Sequence, residues 1–141
     1  MSNTRIMLAT LALGTAVAFA GPAFAEKLKA TLDGASEVPA NTSAGKGTAD
    51  IDYDAASKKL TWKLTYSGLT GPATAAHFHG PAEAGKNAGV AVAIPGATSS
   101  PAEGSATLTD AQAADLVAGK FYINVHTAAN PGGEIRGQVT K

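Results

Sequence analysis

All three histidines of the chain fall in two short segments, His77-Phe78-His79 and Asn124-Val125-His126. Side chains along an extended strand alternate between its two faces, so residues two apart share a side. His77 and His79 therefore point together, and the apolar Phe78 between them marks the opposite, core side. The same alternation at Phe121, Ile123 and Val125 puts Tyr122, Asn124 and His126 on the outward, wet face. If the two strands pair, three imidazoles converge on one side of one sheet. Neutral imidazole binds copper, zinc, iron or nickel, and three of them with an open position form a recognised metal arrangement. The competing reading is that outward histidines hydrogen-bond to loop backbone and fix the nearby turns. Because no histidine lies elsewhere, His77, His79 and His126 are taken as a candidate site for one Cu(II) or Zn(II) ion.

The end of the chain supplies groups that could support such a site. If the strands around the Thr127–Gly133 connection pair with His126 opposite Glu134, then Asn124 faces Arg136 and Tyr122 faces Gln138. All six side chains would then lie on the outward face. Asn124, Glu134 and Arg136 are thus candidates to orient an imidazole or guide an anion. For Glu134 and Arg136 the more ordinary reading is an exposed ion pair, which contributes little to stability. The segment from Gly80 to Gly89 reads as a plain connector beside the histidines. It has no Gly-Lys-Ser/Thr sequence at a strand-to-helix junction, so it is not a phosphate-binding loop. No Gly-x-Ser-x-Gly elbow is present and the chain has no cysteine, which removes the common serine and thiol nucleophiles. Asp50, Asp52 and Asp54 share one strand face. They lack the glycine and distal glutamate of an EF-hand loop, so a solvated face is expected there.

The elements that must hold these residues are strands. Leu28, Ala30 and Leu32 alternate with polar neighbours, as do Ala49, Ile51 and Tyr53, and then Leu60, Trp62, Leu64 and Tyr66. Val90, Val92 and Ile94 continue the pattern, followed by Phe121, Ile123 and Val125, and by Ile135, Gly137 and Val139. Turn residues separate them at Gly34, Pro39, Gly45 to Gly47, Gly68–Pro72, Gly80-Pro81, Pro95-Gly96 and Pro131-Gly132-Gly133. Many short strands at this spacing predict an all-β, antiparallel, Greek-key-like β-sandwich. One short helix near residues 110–118 interrupts them. Thr109 is its predicted N-cap, Gln112 completes a capping box and Gly119 ends it.

The N-terminus has a different character. Arg5 is followed by an apolar run from Ile6 to Ala20 and then by Ala23-Phe24-Ala25. A charged start, an apolar stretch and small residues at the cleavage positions are the order of a Sec-type signal peptide, residues 1–25, cut after Ala25. The apolar run is shorter than the roughly 20 residues of a spanning helix, and Gly21-Pro22 interrupts it. A single domain over residues 26–141 and a periplasmic or secreted location follow as expectations, with no membrane span after cleavage. The whole chain carries 11 basic and 11 acidic residues. Losing Arg5 leaves a slight acidic excess with no basic patch, so nucleic acid is not an expected partner. Both methionines, Met1 and Met7, precede the cleavage point, so the mature part offers a metal no sulfur.

Several segments together resemble one family. Leu32-Asp33-Gly34-Ala35-Ser36-Glu37-Val38-Pro39 is similar to the opening of the chordin (CHRD) domain. So are Leu64-Thr65-Tyr66-Ser67-Gly68-Leu69-Thr70, Ala76-His77-Phe78-His79-Gly80-Pro81-Ala82 and Phe121-Tyr122-Ile123-Asn124-Val125-His126-Thr127. The ending from Asn130 to Val139 completes the likeness, which spans nearly all of residues 26–141. That resemblance implies an extracytoplasmic β-sandwich of the kind found in animal chordin and in stand-alone exported bacterial proteins. It does not imply an enzyme, and the partner it implies is an unspecified protein or metal outside the cytoplasm. A weaker likeness is to copper-zinc superoxide dismutase, in which His77, His79 and His126 would match three copper ligands. No histidine remains here for the bridging position or the zinc site. Three functions are carried forward: a metal-binding exported protein, a metal-free interaction module, and a copper-only redox enzyme.

Overall fold

A computed structural model describes residues 24–141. The expected leader lies outside the described residues except for Phe24 and Ala25. Among the described residues no helix is long and apolar enough to cross a membrane.

The chain forms eight antiparallel strands and one helix: β1 (Glu26–Asp33), β2 (Lys46–Asp54), β3 (Lys59–Ser67), β4 (Ala73–His79), β5 (Val90–Ala93), β6 (Ala102–Thr107), α1 (Asp110–Val117), β7 (Tyr122–Thr127) and β8 (Ile135–Gln138). Their order in the sheet is β5-β4-β7-β8-β1-β2-β3-β6. Strands β1, β2 and β3 form a meander held over long registers, whereas β1 meets β8 at the single pair Asp33↔Arg136. The same register continues just past β8, where Lys29 and Thr140 exchange backbone hydrogen bonds, and the curled sheet brings β3 to face β4. Trp62 of β3 meets Phe78 of β4 edge to face, with ring centroids 5.2 Å apart. The all-β sandwich read from the alternation is thus the architecture found.

The alternation settles which side of each strand enters the core. Leu28, Ala30 and Leu32 are buried along β1, Ala49, Ile51 and Tyr53 along β2, and Leu60, Trp62 and Leu64 along β3. Phe78 on β4, Ile123 and Val125 on β7 and Ile135 on β8 are buried with them. Helix α1 has the predicted capping box: the Thr109 side chain accepts from the Gln112 backbone N–H, and the Gln112 side chain accepts from the Thr109 N–H. Gly119 ends it with a positive φ of 75°, a conformation that costs residues with a Cβ more than glycine. The helix packs Ala113 and Leu116 inward.

Strand β6 was not legible in the periodicity. Its Ala-Glu-Gly-Ser-Ala-Thr sequence offers no large apolar residue, and it exists as an edge strand because β3 presents a free ladder to it. Gly104 lies across the Trp62 indole, where a Cβ would come within 2.8 Å of the ring. The aspartates of β2 behave as surface groups: Asp52 pairs with Lys27, and the Asp54 carboxylate accepts from the Ala56 backbone in the following turn.

Candidate metal centre

Strands β4 and β7 are hydrogen-bonded neighbours, with His77 paired to Asn124 and His79 to Tyr122. This register brings the two histidine segments together. His77 and His79 occupy the same face of β4, Asn124 and His126 the same face of β7, and Asn124 lies directly across from His77. The result is a compact cluster in which one ring nitrogen from each histidine lies within 4.8 Å of the others.

The hydrogen bonds identify which nitrogens face inward. His126 Nδ1 is 2.9 Å from the Pro131 carbonyl oxygen, and His79 Nδ1 is 3.0 Å from that of Ala88. A carbonyl only accepts, so a neutral His126 ring carries its proton on Nδ1 and keeps the lone pair on Nε2. The single proton of a neutral His79 ring, by contrast, has an oxygen acceptor at either nitrogen. His126 Nε2 lies 3.1 Å from His77 Nδ1. His79 Nε2 lies 2.9 Å from Asn124 Oδ1. Ligands about 2.0–2.1 Å from one ion are separated by about 2.9 Å at a right angle and about 3.4 Å at the tetrahedral angle. Both close approaches fall in that interval. The widest spacing exceeds it, so an ion that gathers all three rings would draw them in by roughly 1 Å or less.

Burial favours the neutral form of His77 and His79. Burial lowers the His77 pKa, and the neighbouring His126 and His79 lower it further. Burial also lowers that of His79, against the raising effect of its hydrogen bonds to Ala88 and Asn124. Neutral imidazole is the form that coordinates a metal.

The expected face is correct for the histidines, but it is not a wet face. His79 is 8% exposed, Asn124 3% and Arg136 2%, because the loops after β1, β4 and β7 fold over this side of the sheet. Tyr122 is buried as well, its ring stacked on His79 at 4.8 Å between centroids. Alternation reports which side of a strand is apolar, not whether a loop later covers the polar side. The Gly80–Gly89 segment is consequently not a plain connector: its Ala88 carbonyl orients His79, while Lys86 and Asn87 accept from Arg136.

Two of the supporting residues differ from expectation in their partners. The pairings Asn124↔Arg136 and Tyr122↔Gln138 are as read from the sequence. Glu134, however, precedes β8, and its side chain leaves the alternation. It is fully buried and accepts from Ser43, Thr70, Thr127 and Asn130. It neither pairs with Arg136 nor orients an imidazole. Arg136 instead donates to Asn87 and the Lys86 carbonyl, and its guanidinium carbon lies 3.5 Å from the Tyr122 ring centroid, a cation–π contact. Asn124 is the one candidate that reaches an imidazole directly.

Glu37 escaped the sequence reading. It is buried beside Arg136 and the Asn124 amide, and its Oε1 has no hydrogen-bond partner. Desolvation pushes its pKa up to about 7, partly opposed by Arg136. No periodicity singles it out, because it sits in the loop after β1; only the family-like segment Leu32–Pro39 contained it. Gly133 (φ +130°) makes room for this contact, since a Cβ there would collide with both Glu37 Oε1 and Asn124 Nδ2.

No curated protein and no solved structure matches the chain. The CHRD domain model matches residues 28–139, which contain all three histidines and every residue named around them. The chain belongs to the CHRD domain family.

Proposed function

We propose that this protein is an exported CHRD-domain protein that binds one divalent metal ion, Cu(II) or Zn(II), through His77, His79 and His126. The observation that carries the reading is the convergence of one ring nitrogen from each histidine together with carbonyl anchors on the far side of two of the rings. His126 Nε2 and His77 Nδ1 are 3.1 Å apart, and the distal nitrogens of His126 and His79 are each held by a backbone oxygen. Metal-binding histidines characteristically have this second hydrogen bond, which fixes tautomer and ring orientation. Rings kept only to brace turns would not need their free nitrogens to meet. The donor set has nitrogen and no sulfur, which suits Cu(II) or Zn(II) and not Cu(I).

Export is supported by the order Arg5, Ile6–Ala20, Ala23-Phe24-Ala25. N-terminal sequencing of the mature protein is expected to begin at Glu26. A mature chain that still begins at Met1 or Ser2 would overturn that part.

Metal content of protein purified from its export compartment tests the site. Wild type is expected to carry close to one equivalent of copper or zinc after loading and washing, and His77→Ala to lose most of it. Equal metal in both would contradict the three-histidine site, and no metal in either would leave the metal-free interaction module as the function.

A further inference from the structure

The Asn124 side chain touches the histidine cluster directly, through His79. It is cross-strand from His77 and two residues from His126 on the same face of β7, and its Oδ1 lies 2.9 Å from His79 Nε2. Which end of the amide points where follows from its surroundings. The Gly132 carbonyl, 3.2 Å from Nδ2, accepts only, and the Glu37 carboxyl lies on the same side. The NH2 end therefore belongs there, and the oxygen is the end presented to the imidazoles.

That arrangement leaves an electrostatic conflict. The neutral His79 ring has one proton for two acceptors, the Ala88 carbonyl at Nδ1 and Asn124 Oδ1 at Nε2. With the proton on Nδ1, a nitrogen lone pair faces an oxygen lone pair in a site from which water is nearly excluded, Asn124 being 3% exposed. A shared cation removes the conflict. The spacing of 2.9 Å is the separation of two ligands about 2.0–2.1 Å from one ion and at about a right angle to each other.

Resting on the metal-binding reading above, we propose that Asn124 Oδ1 is a fourth ligand. It completes an N3O set with His77 Nδ1, His79 Nε2 and His126 Nε2 and takes the strong position that water or an anion would otherwise fill. Near-right angles and nitrogen–oxygen donors are the preference of tetragonal Cu(II). With four protein donors in the strong positions, only the weak axial positions of a tetragonal Cu(II) stay open to water or an anion. The Gly132 carbonyl then has a definite role: it anchors the NH2 end so that the oxygen stays aimed at the ion.

The test compares Cu(II)-loaded wild type with Asn124→Asp, which keeps an oxygen donor, and Asn124→Ala, which has none. His77→Ala serves as the control for the site itself. Azide is titrated as a probe for an open copper position, followed by visible absorption and electron paramagnetic resonance. Wild type and Asn124→Asp are expected to hold copper and to show no intense azide-to-copper charge-transfer band. Asn124→Ala is expected to bind copper at least tenfold more weakly and to gain an azide-to-copper charge-transfer band. Azide binding to wild-type copper protein at similar strength would overturn the fourth ligand, whether or not Asn124→Ala folds. If His77→Ala alone loses copper and Asn124→Ala matches wild type in affinity, the three-histidine site stands and this inference falls. Failure of wild type to bind copper or zinc stoichiometrically would overturn both.

Discussion

Glu37 and Glu134 are both carboxyls withdrawn from water, and their neighbours drive them in opposite directions. Around Glu134, burial acts to raise the pKa, but hydrogen bonds from Thr70, Thr127 and Ser43 more than offset it and hold the pKa below the ordinary value. A depressed carboxyl stabilises the fold above its unfolded pKa, and that contribution is lost as pH falls through the folded value. Glu134→Gln leaves several buried donors with a poorer acceptor and is expected to cost about 2–4 kcal/mol by urea unfolding at pH 7. The penalty should shrink in acid. A variant as stable as wild type at pH 7 would show that the cluster contributes nothing net. Glu37 has the reverse sign. Its folded pKa is raised from 4.5 to about 7, so its contribution is fully present below pH 4.5 and is lost as pH rises through 7. Glu37→Gln should therefore gain stability relative to wild type between pH 5 and 8. The expected gain is on the order of 2 kcal/mol, discounted from the full linkage value for solvent screening. Parallel stability–pH curves would contradict the assignment.

At the scale of elements, the site depends on two loops held down against the outward face of β4 and β7. One is the Gly80–Gly89 segment, clamped by Arg136 and by the reciprocal Tyr122–Ala88 hydrogen bonds. The other is Thr127–Gly133, whose Pro131 carbonyl orients His126 and whose base is tied to Glu134. Gly133→Ala would drive a Cβ into the Glu37 and Asn124 side chains at a φ of +130°, and is expected to cost about 2 kcal/mol in thermal unfolding. No loss would mean the loop has another conformation. The strands β1, β2 and β3 were legible because each buries one face, and alternation is the direct consequence; β7 keeps the alternation of apolar and polar residues although both its faces are covered. The capping box of α1 was legible because Thr109 and Gln112 are spaced for it. Strand β6 was hidden because pairing to β3, and not its own side chains, makes it a strand. Loop cover was hidden for a related reason: Asn124, Arg136 and Glu134 are polar residues whose burial depends on contacts dozens of positions away.

For the whole molecule, the sandwich is the frame that brings the three histidines into one cluster. Phe78, flanked in sequence by His77 and His79, is fully buried and touches Trp62 across the core and Phe121 beside it. The same strand therefore anchors one face in the hydrocarbon core and presents imidazoles on the other. Phe78→Ala is expected to cost about 3–5 kcal/mol and to loosen the histidine register with it. Without any cysteine, packing carries the stability that disulfides give many exported domains of this size. The most direct measurement of the central claim is an anomalous difference map from crystals soaked with Cu(II) and, separately, with Zn(II). One strong peak within bonding distance of His77 Nδ1, His79 Nε2 and His126 Nε2 is the predicted result. A cluster that stays free of anomalous density at saturating metal, or a peak bound elsewhere on the surface, would contradict it.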